Sequence, residues 1–416
     1  MTTTPASTAP PRRGPIQRPP AAPGLAQTDL LLDPEAMVPR FERLLARPAA
    51  IERLRVRHVE LVPGQACTVG YEATIGGARH TVVVRCDPRS DARGLAGSRA
   101  AEALTAAAHA RTPARRALSF DGSIPALIQW FPADVELPLL AAPGALRRLA
   151  GPDGAGAQPQ LLGHRPGHRA VVRVGDAVLK LYAADAGVRA GLRGLLFSGR
   201  LAGIGPVPPV RGCFERLRVT VQGAVDGAPV ERERAVELAP RAGALLRLLH
   251  TALPDDLPPT TPERQLAAAA RSGRLVAAVA PALADRTARL LDELLRTRPA
   301  VGHTVAAHGD FNVSQLLDAG GVLTLVDFDE ACQAAPGLDV AAYAANVVSG
   351  RPGDLEHAER VLAAFLHGYG EEPADLSWHL ATELVRRAAS PFRRFKRDWP
   401  ERTEALVTAA EEVLGR

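Results

Sequence analysis

The run His308-Gly309-Asp310-Phe311-Asn312-Val313-Ser314-Gln315, followed by Val326-Asp327-Phe328-Asp329, constrains this chain more than any other stretch. Leu316-Leu317 leads into a Gly-rich turn, Asp318-Ala319-Gly320-Gly321, and then into the apolar run Val322-Leu323-Thr324-Leu325-Val326. The pattern predicts a hairpin that returns Asp327 towards the loop carrying Asp310. A carboxylate at the end of an apolar strand, facing a loop with a second carboxylate, suits Mg²⁺, which prefers hard oxygen donors and shares them with phosphates.

Asp310 and Gln315 have the spacing of an H-R-D-x-x-x-x-N loop, in which the Asp lies near an attacking hydroxyl and the amide holds a metal. Asp310 is therefore the candidate catalytic residue, and Gln315 and Asp327 are the candidate metal ligands. Gln315 lengthens the usual Asn arm by one carbon. His308 and Asp339 read as organisers of the loop, and Asp329 as a supporting or second-metal carboxylate. Metallophosphoesterases also combine Gly-Asp, His and Asn, but they need Asp-x-His upstream and Gly-Asn-His downstream, and the sequence has neither. It also lacks His-Glu-x-x-His and Cys-x-x-Cys, which disfavours zinc hydrolysis.

With Ala335-Pro336-Gly337-Leu338-Asp339 downstream, the segment resembles the aminoglycoside phosphotransferase and choline kinase group, whose fold is like that of protein kinases. The resemblance covers about residues 160 to 413 and is specific at 308 to 339. It implies an α+β, two-lobe protein-kinase-like fold with a mostly helical C-terminal lobe, to which this chain adds an N-terminal β-rich region. It also implies ATP and Mg²⁺ as cofactors and a small-molecule hydroxyl acceptor, such as an aminoglycoside, a sugar or an amino alcohol. Gln222 and Ala224 would lie at the hinge, where backbone groups meet the adenine. A nucleotide-binding pseudokinase with a regulatory role is the alternative.

Lys180 lies near the end of the apolar run Ala177-Val178-Leu179-Lys180-Leu181-Tyr182, and only it and Lys396 are lysine among 50 Lys and Arg residues. A composition that otherwise chooses Arg predicts a site needing a compact ammonium. In kinases the third strand of the small lobe carries such a Lys against the ATP phosphates. Two features depart from the kinase pattern. No G-x-G-x-x-G precedes Lys180, only Pro166-Gly167, and the helical stretch from Asp185 to Gly203 offers no Glu. Asp185 and Glu102 remain the candidate partners.

The strand-turn-strand pattern around Lys180 recurs upstream, in Val59-Glu60-Leu61, Cys67 to Ile75 and Thr81 to Arg85, as a weak internal repeat of a three-strand meander. The expected organisation is a disordered Pro- and Ala-rich tail over 1–28 and an accessory β-rich region with helices over 29–155. A small lobe over 156–225 and a helical large lobe over 226–416 complete it. Short helices are expected from Ala36 to Leu54, and amphipathic helices over Leu355 to Tyr369, Leu376 to Ala389 and Arg402 to Leu414. Glu371, Glu372, Asp375 and Glu383 read as a solvated helix face rather than a receptor for a cationic substrate.

The net charge of +5 includes Arg12, Arg13 and Arg18 in a tail without acids, which argues against a nucleic-acid partner. No apolar run is long enough for a membrane span. Four scattered Cys fit reduced thiols and a cytoplasmic location. The oligomeric state is not legible.

Overall fold

The computed structural model describes residues 27–415 apart from 204, 232 and 233. Most of the segment expected to be a tail lies outside the described residues, although α1 (Thr28–Leu31) already begins at its last position. Next come α2 (Pro34–Glu42), β1 (Ile51–Val62), β2 (Ala66–Ile75) and β3 (Ala78–Cys86). The short helices expected up to Leu54 therefore stop at Glu42. Residues 51–54 extend β1 because Leu54 and Val56 face the same core as Val59 and Leu61. After α3 (Ala92–Ala96) and α4 (Arg99–Ala108) come β4 (Leu118–Asp121) and β5 (Ala126–Trp130). The five strands form one antiparallel sheet in the order β1-β2-β3-β5-β4.

The same plan then repeats. Helix α5 (Pro143–Ala150) precedes β6 (Gln160–Arg165), β7 (Arg169–Val174) and β8 (Ala177–Tyr182); after α6 (Asp185–Leu201) come β9 (Val210–Phe214) and β10 (Val219–Gly223). Their order is β6-β7-β8-β10-β9, again antiparallel throughout. The repeat is thus longer than the three-strand meander: it includes a leading helix, a helical insertion after the third strand and two further strands. In each sheet the alternation of side chains sends one face outward onto the leading helix. Val82, Val84 and Ile128 share a core with Met37 and Phe41, while Leu179, Leu181 and Val221 share one with Leu146 and Ala150.

Beyond β10 the chain is mainly helical. Strand β11 (Ala228–Pro229) is followed by α7 (Ala235–His250), α8 (Pro262–Val279) and α9 (Ala284–Arg296). Strands β12 (Val305–Ala307) and β15 (Cys332–Ala334) pair with each other, and they enclose the hairpin of β13 (Leu316–Ala319) and β14 (Val322–Leu325). Helices α10 (Gly337–Gly350), α11 (Leu355–Tyr369), α12 (Leu376–Arg387), α13 (Ser390–Arg393) and α14 (Trp399–Leu414) close the chain. Pro240 sits inside α7. Among the described residues no helix is long and apolar enough to cross a membrane.

Candidate active site

The predicted hairpin forms. Leu316 pairs with Leu325, and the Val326 N–H donates to the Gln315 carbonyl at 3.0 Å, so the chain arrives at Asp327 beside the loop it left. Asp327 itself is in the left-handed region, with φ of 67°. A non-Gly residue held there stores local strain of the kind found at functional sites.

A buried carboxylate builds the loop between β12 and β13. Asp339, fully buried at the start of α10, accepts from the backbone N–H of His308 at 2.6 Å and of Gly309 at 2.9 Å. The His308 ring bridges to the second motif: Nε2 donates to the Val326 carbonyl at 3.0 Å, and Nδ1 accepts from the Asp310 N–H at 3.3 Å. Gly309 is obligatory here, because its φ is 82° and a Cβ would sit 2.1 Å from the Glu330 carbonyl oxygen. Asp310 is thereby fixed at a cleft of about 440 Å³ that Gly309, Glu330, Glu383 and Arg386 also line. Its carboxylate lies 3.4 Å from Gln315 Nε2, 3.5 Å from Arg387 and 3.7 Å from Arg386. Burial pushes the Asp310 carboxyl above its ordinary value, against the pull of the two guanidinium groups.

Lys180 is buried and meets both acids of the second motif, with Nζ 2.7 Å from Asp327 Oδ1 and 2.6 Å from Asp329 Oδ1. Neither of the partners considered from sequence serves. Asp185 pairs with Arg218 at 2.7 Å, and Glu102 lies on α4, in the helical insertion of the first sheet. Two residues that the sequence reading missed complete the cluster. Arg169 reaches Asp327 Oδ2 at 3.1 Å and Asp329 Oδ2 at 2.7 Å, and the Tyr182 hydroxyl donates to Asp329 Oδ2 at 3.0 Å. Tyr182 had a readable signal, since it is two positions from Lys180 on the same strand face. Arg169 faces Tyr182 across the β7–β8 pair, which only a fixed register discloses. Burial alone would raise the Asp327 carboxyl, but Lys180 and Arg169 hold it far below the usual carboxylate range.

The absent helix acid has a structural counterpart. On α6, a Cβ at Gly191 would fall 2.2 Å from the Tyr182 hydroxyl oxygen, and one at Gly194 would fall 2.3 Å from the Phe328 carbonyl oxygen. The helix approaches too closely at these positions to offer a carboxylate, and the Asp329 bonds replace it.

The hinge residues lie at the C-terminal end of β10, an inner strand of the second sheet. Gln222 pairs with Val178, and the Ala224 N–H already donates to the Asp176 carbonyl at 2.9 Å. Glu383, read from sequence as part of a solvated face, instead lines the cleft, where it bonds Arg386 and Arg387 at 2.5 and 2.7 Å. An i, i+3, i+4 run of Glu and Arg on a helix is indistinguishable in sequence from surface pairing.

The chemistry of the donors fits a hard divalent cation. Asp327 offers an ionised carboxylate and Gln315 an amide oxygen, both hard donors; Gln315 Nε2 lies 3.4 Å from Asp310 Oδ2, and Lys180 and Arg169 hold the Asp327 oxygens.

Residues 166–379 match a family model described as "Phosphotransferase enzyme family". No curated protein matches the chain. Similar solved structures include a choline/ethanolamine kinase family protein from Mesorhizobium loti, at 15% identity over 66% of this chain and 95% of that one, with a TM-score of 0.47. A choline kinase from Cryptosporidium parvum Iowa II has 11% identity over 65% and 94%, with a TM-score of 0.49. A macrolide 2'-phosphotransferase from Brachybacterium faecium has 20% identity over 65% and 97%, with a TM-score of 0.42.

Proposed function

The chain belongs to the phosphotransferase enzyme family, and from that premise we propose that it moves the γ-phosphoryl group of ATP, bound with Mg²⁺, to a hydroxyl of a small molecule. The observation that carries this reading is the convergence of Lys180 with Asp327 and Asp329, from elements almost 150 residues apart, beside a cleft lined by Asp310.

The transition state of phosphoryl transfer is loose, so catalysis rests on positioning and charge stabilisation. Asp310 orients the acceptor hydroxyl and takes its proton. Arg386 and Arg387 pull that carboxyl back towards its ionised form against the upward push of its burial. Lys180 and Arg169 neutralise Asp327 and Asp329 before any nucleotide enters, and both are cations that phosphate oxygens can claim. Asp327 and Gln315 would hold Mg²⁺, which when bound supplies further neutralisation of the phosphates. His308 and Asp339 position the Asp310 loop, and Gln222 with the chain after Gly223 borders the place for the base.

The pseudokinase alternative draws on one observation: each oxygen of Asp327 already has a cationic partner. Mg²⁺-dependent ATP consumption across a panel of aminoglycosides, sugars, choline-like alcohols and hydroxy amino acids decides between the two. Acceptor-dependent turnover that disappears in Asp310→Asn and Asp327→Ala is expected. Nucleotide binding with no turnover on any acceptor points to the pseudokinase, and full activity in Asp327→Ala removes the metal assignment.

A further inference from the structure

The cleft beside Asp310 has an uneven charge lining. Its acids are nearly all matched: Glu383 is bonded by both Arg386 and Arg387, and the same two guanidinium groups lie within 3.7 Å of Asp310. Glu330 belongs to the acid group of Asp310, Asp327 and Asp329, whose charges, after its burial, raise its carboxyl above the ordinary value. The arginines of α8 have no such matching. Arg264, Ala268 and Arg271 line the cleft at spacings of four and three, which places them on one helix face. Arg264 spends one donor on the Pro259 carbonyl, and Arg271 has neither hydrogen bond nor ion pair among the described residues. Seven residues of helix separate the two Cα atoms by about 10 Å along the axis, within reach of two long side chains converging on one group. Ala268 between them leaves that space open.

We propose that the phosphoryl acceptor is an anionic hydroxy compound, a polyol or sugar bearing a carboxylate or phosphate that Arg264 and Arg271 hold while a hydroxyl faces Asp310. Guanidinium forks match both kinds of oxyanion, and their spare donors are what such a group would use. A cationic acceptor would meet two unpaired guanidinium groups and only one carboxylate, Glu330, without an arginine partner. The inference rests on the phosphotransferase reading for the role of Asp310 but is tested by binding alone.

Full-length protein with Mg²⁺ and a non-hydrolysable ATP analogue is titrated calorimetrically with D-glucuronate, D-glucose 6-phosphate, D-glucose and D-glucosamine. At least one anionic probe is expected to bind about tenfold or more tightly than glucose, with glucosamine weakest. Arg264→Gln with Arg271→Gln is expected to abolish that advantage while leaving the affinity for glucose within about twofold. A preference for glucuronate assigns a carboxylate, and one for the phosphate ester assigns a phosphate. Equal affinities, a preference for glucosamine, no measurable binding of either anionic probe, or an advantage that survives in the double variant overturns the proposal. Turnover that persists in Asp310→Asn would instead overturn the catalytic reading, so the two failures are distinguishable.

Discussion

Two sheets in this molecule share a strand order, a leading helix and a helical insertion, yet only the second carries the acid-base cluster. The positions correspond by register. Lys180 faces Thr220, the second residue of β10, and Arg85 faces Leu127, the second residue of β5. The Lys180 side chain is 7% exposed and meets two acids brought by the β13–β14 hairpin, whereas that of Arg85 is 34% exposed and pairs with Asp87 and Glu136, at 3.3 and 3.6 Å. A basic residue on the third strand is thus not enough to build such a cluster. What makes one is a second segment that buries the cation against paired carboxylates.

The first sheet instead grips the second. Glu60 on β1 bonds Arg165 and His168, at 2.8 and 2.9 Å, on either side of the Pro166-Gly167 turn. Asp134, after β5, accepts from His164 at 3.0 Å and from the Gly167 N–H at 2.9 Å. The turn that stands where kinases carry a glycine-rich loop is therefore held from outside by the accessory unit.

The largest test of this contrast exchanges the fates of the two basic residues. Lys180→Met is expected to lower kcat/KM by about 10²–10³-fold and Arg85→Met by less than about threefold; comparable losses would break the comparison. Next, Glu60→Gln and Asp134→Asn should each raise KM for ATP by about tenfold with kcat nearly unchanged, because they loosen the turn and not the acids around Lys180. An unchanged KM would mean that the turn holds itself. A third test comes from the cleft. Arg387 lowers the Asp310 pKa, so Arg387→Gln should move the acid limb of the pH–rate profile to higher pH, while Arg85→Gln should leave it in place. The smallest effect concerns stability. Burial acts to raise the Glu60 carboxyl, but His168 and Arg165 bring it down to about 2. Its contribution is therefore present above the ordinary glutamate range and lost as the pH falls towards 2. Removing the carboxylate by Glu60→Gln should flatten acid denaturation over that window by about 1 kcal/mol or less, because the pair is partly solvated.

The Asp310–Asp327 arrangement was legible in sequence because hairpin, turn and carboxylates all lie within a short local stretch. Lys180 was legible through composition, its scarcity marking a choice of ammonium over guanidinium. The partners of Lys180 were not. The kinase pattern points to the helix after the third strand, whereas Gly191 and Gly194 bring α6 so close that Tyr182 and Asp329 take over the space. Strands β4 and β5 were missed for a related reason. Pro125 and the Trp130-Phe131-Pro132 sequence resemble a linker, and the pairing that makes β5 a central strand is non-local. The arginines of the cleft carried no signal in one dimension, since pairing on a helix reads the same whether it faces solvent or substrate.

The accessory sheet also touches the far end of the chain. Strand β1 packs against α13, and Phe392 and Phe395 join the core that contains Val59 and Phe41. The second sheet is thus attached to the helical lobe directly, through residues 224–227 and through the bonds of Lys180, Arg169 and Tyr182 to Asp327 and Asp329, and indirectly through Glu60, β1 and α13. In mechanical terms this is a closed linkage rather than an open hinge. A rotation that widens the cleft cannot be confined to one pivot: it must carry the first sheet along, or break the Glu60 bonds before the lobes part.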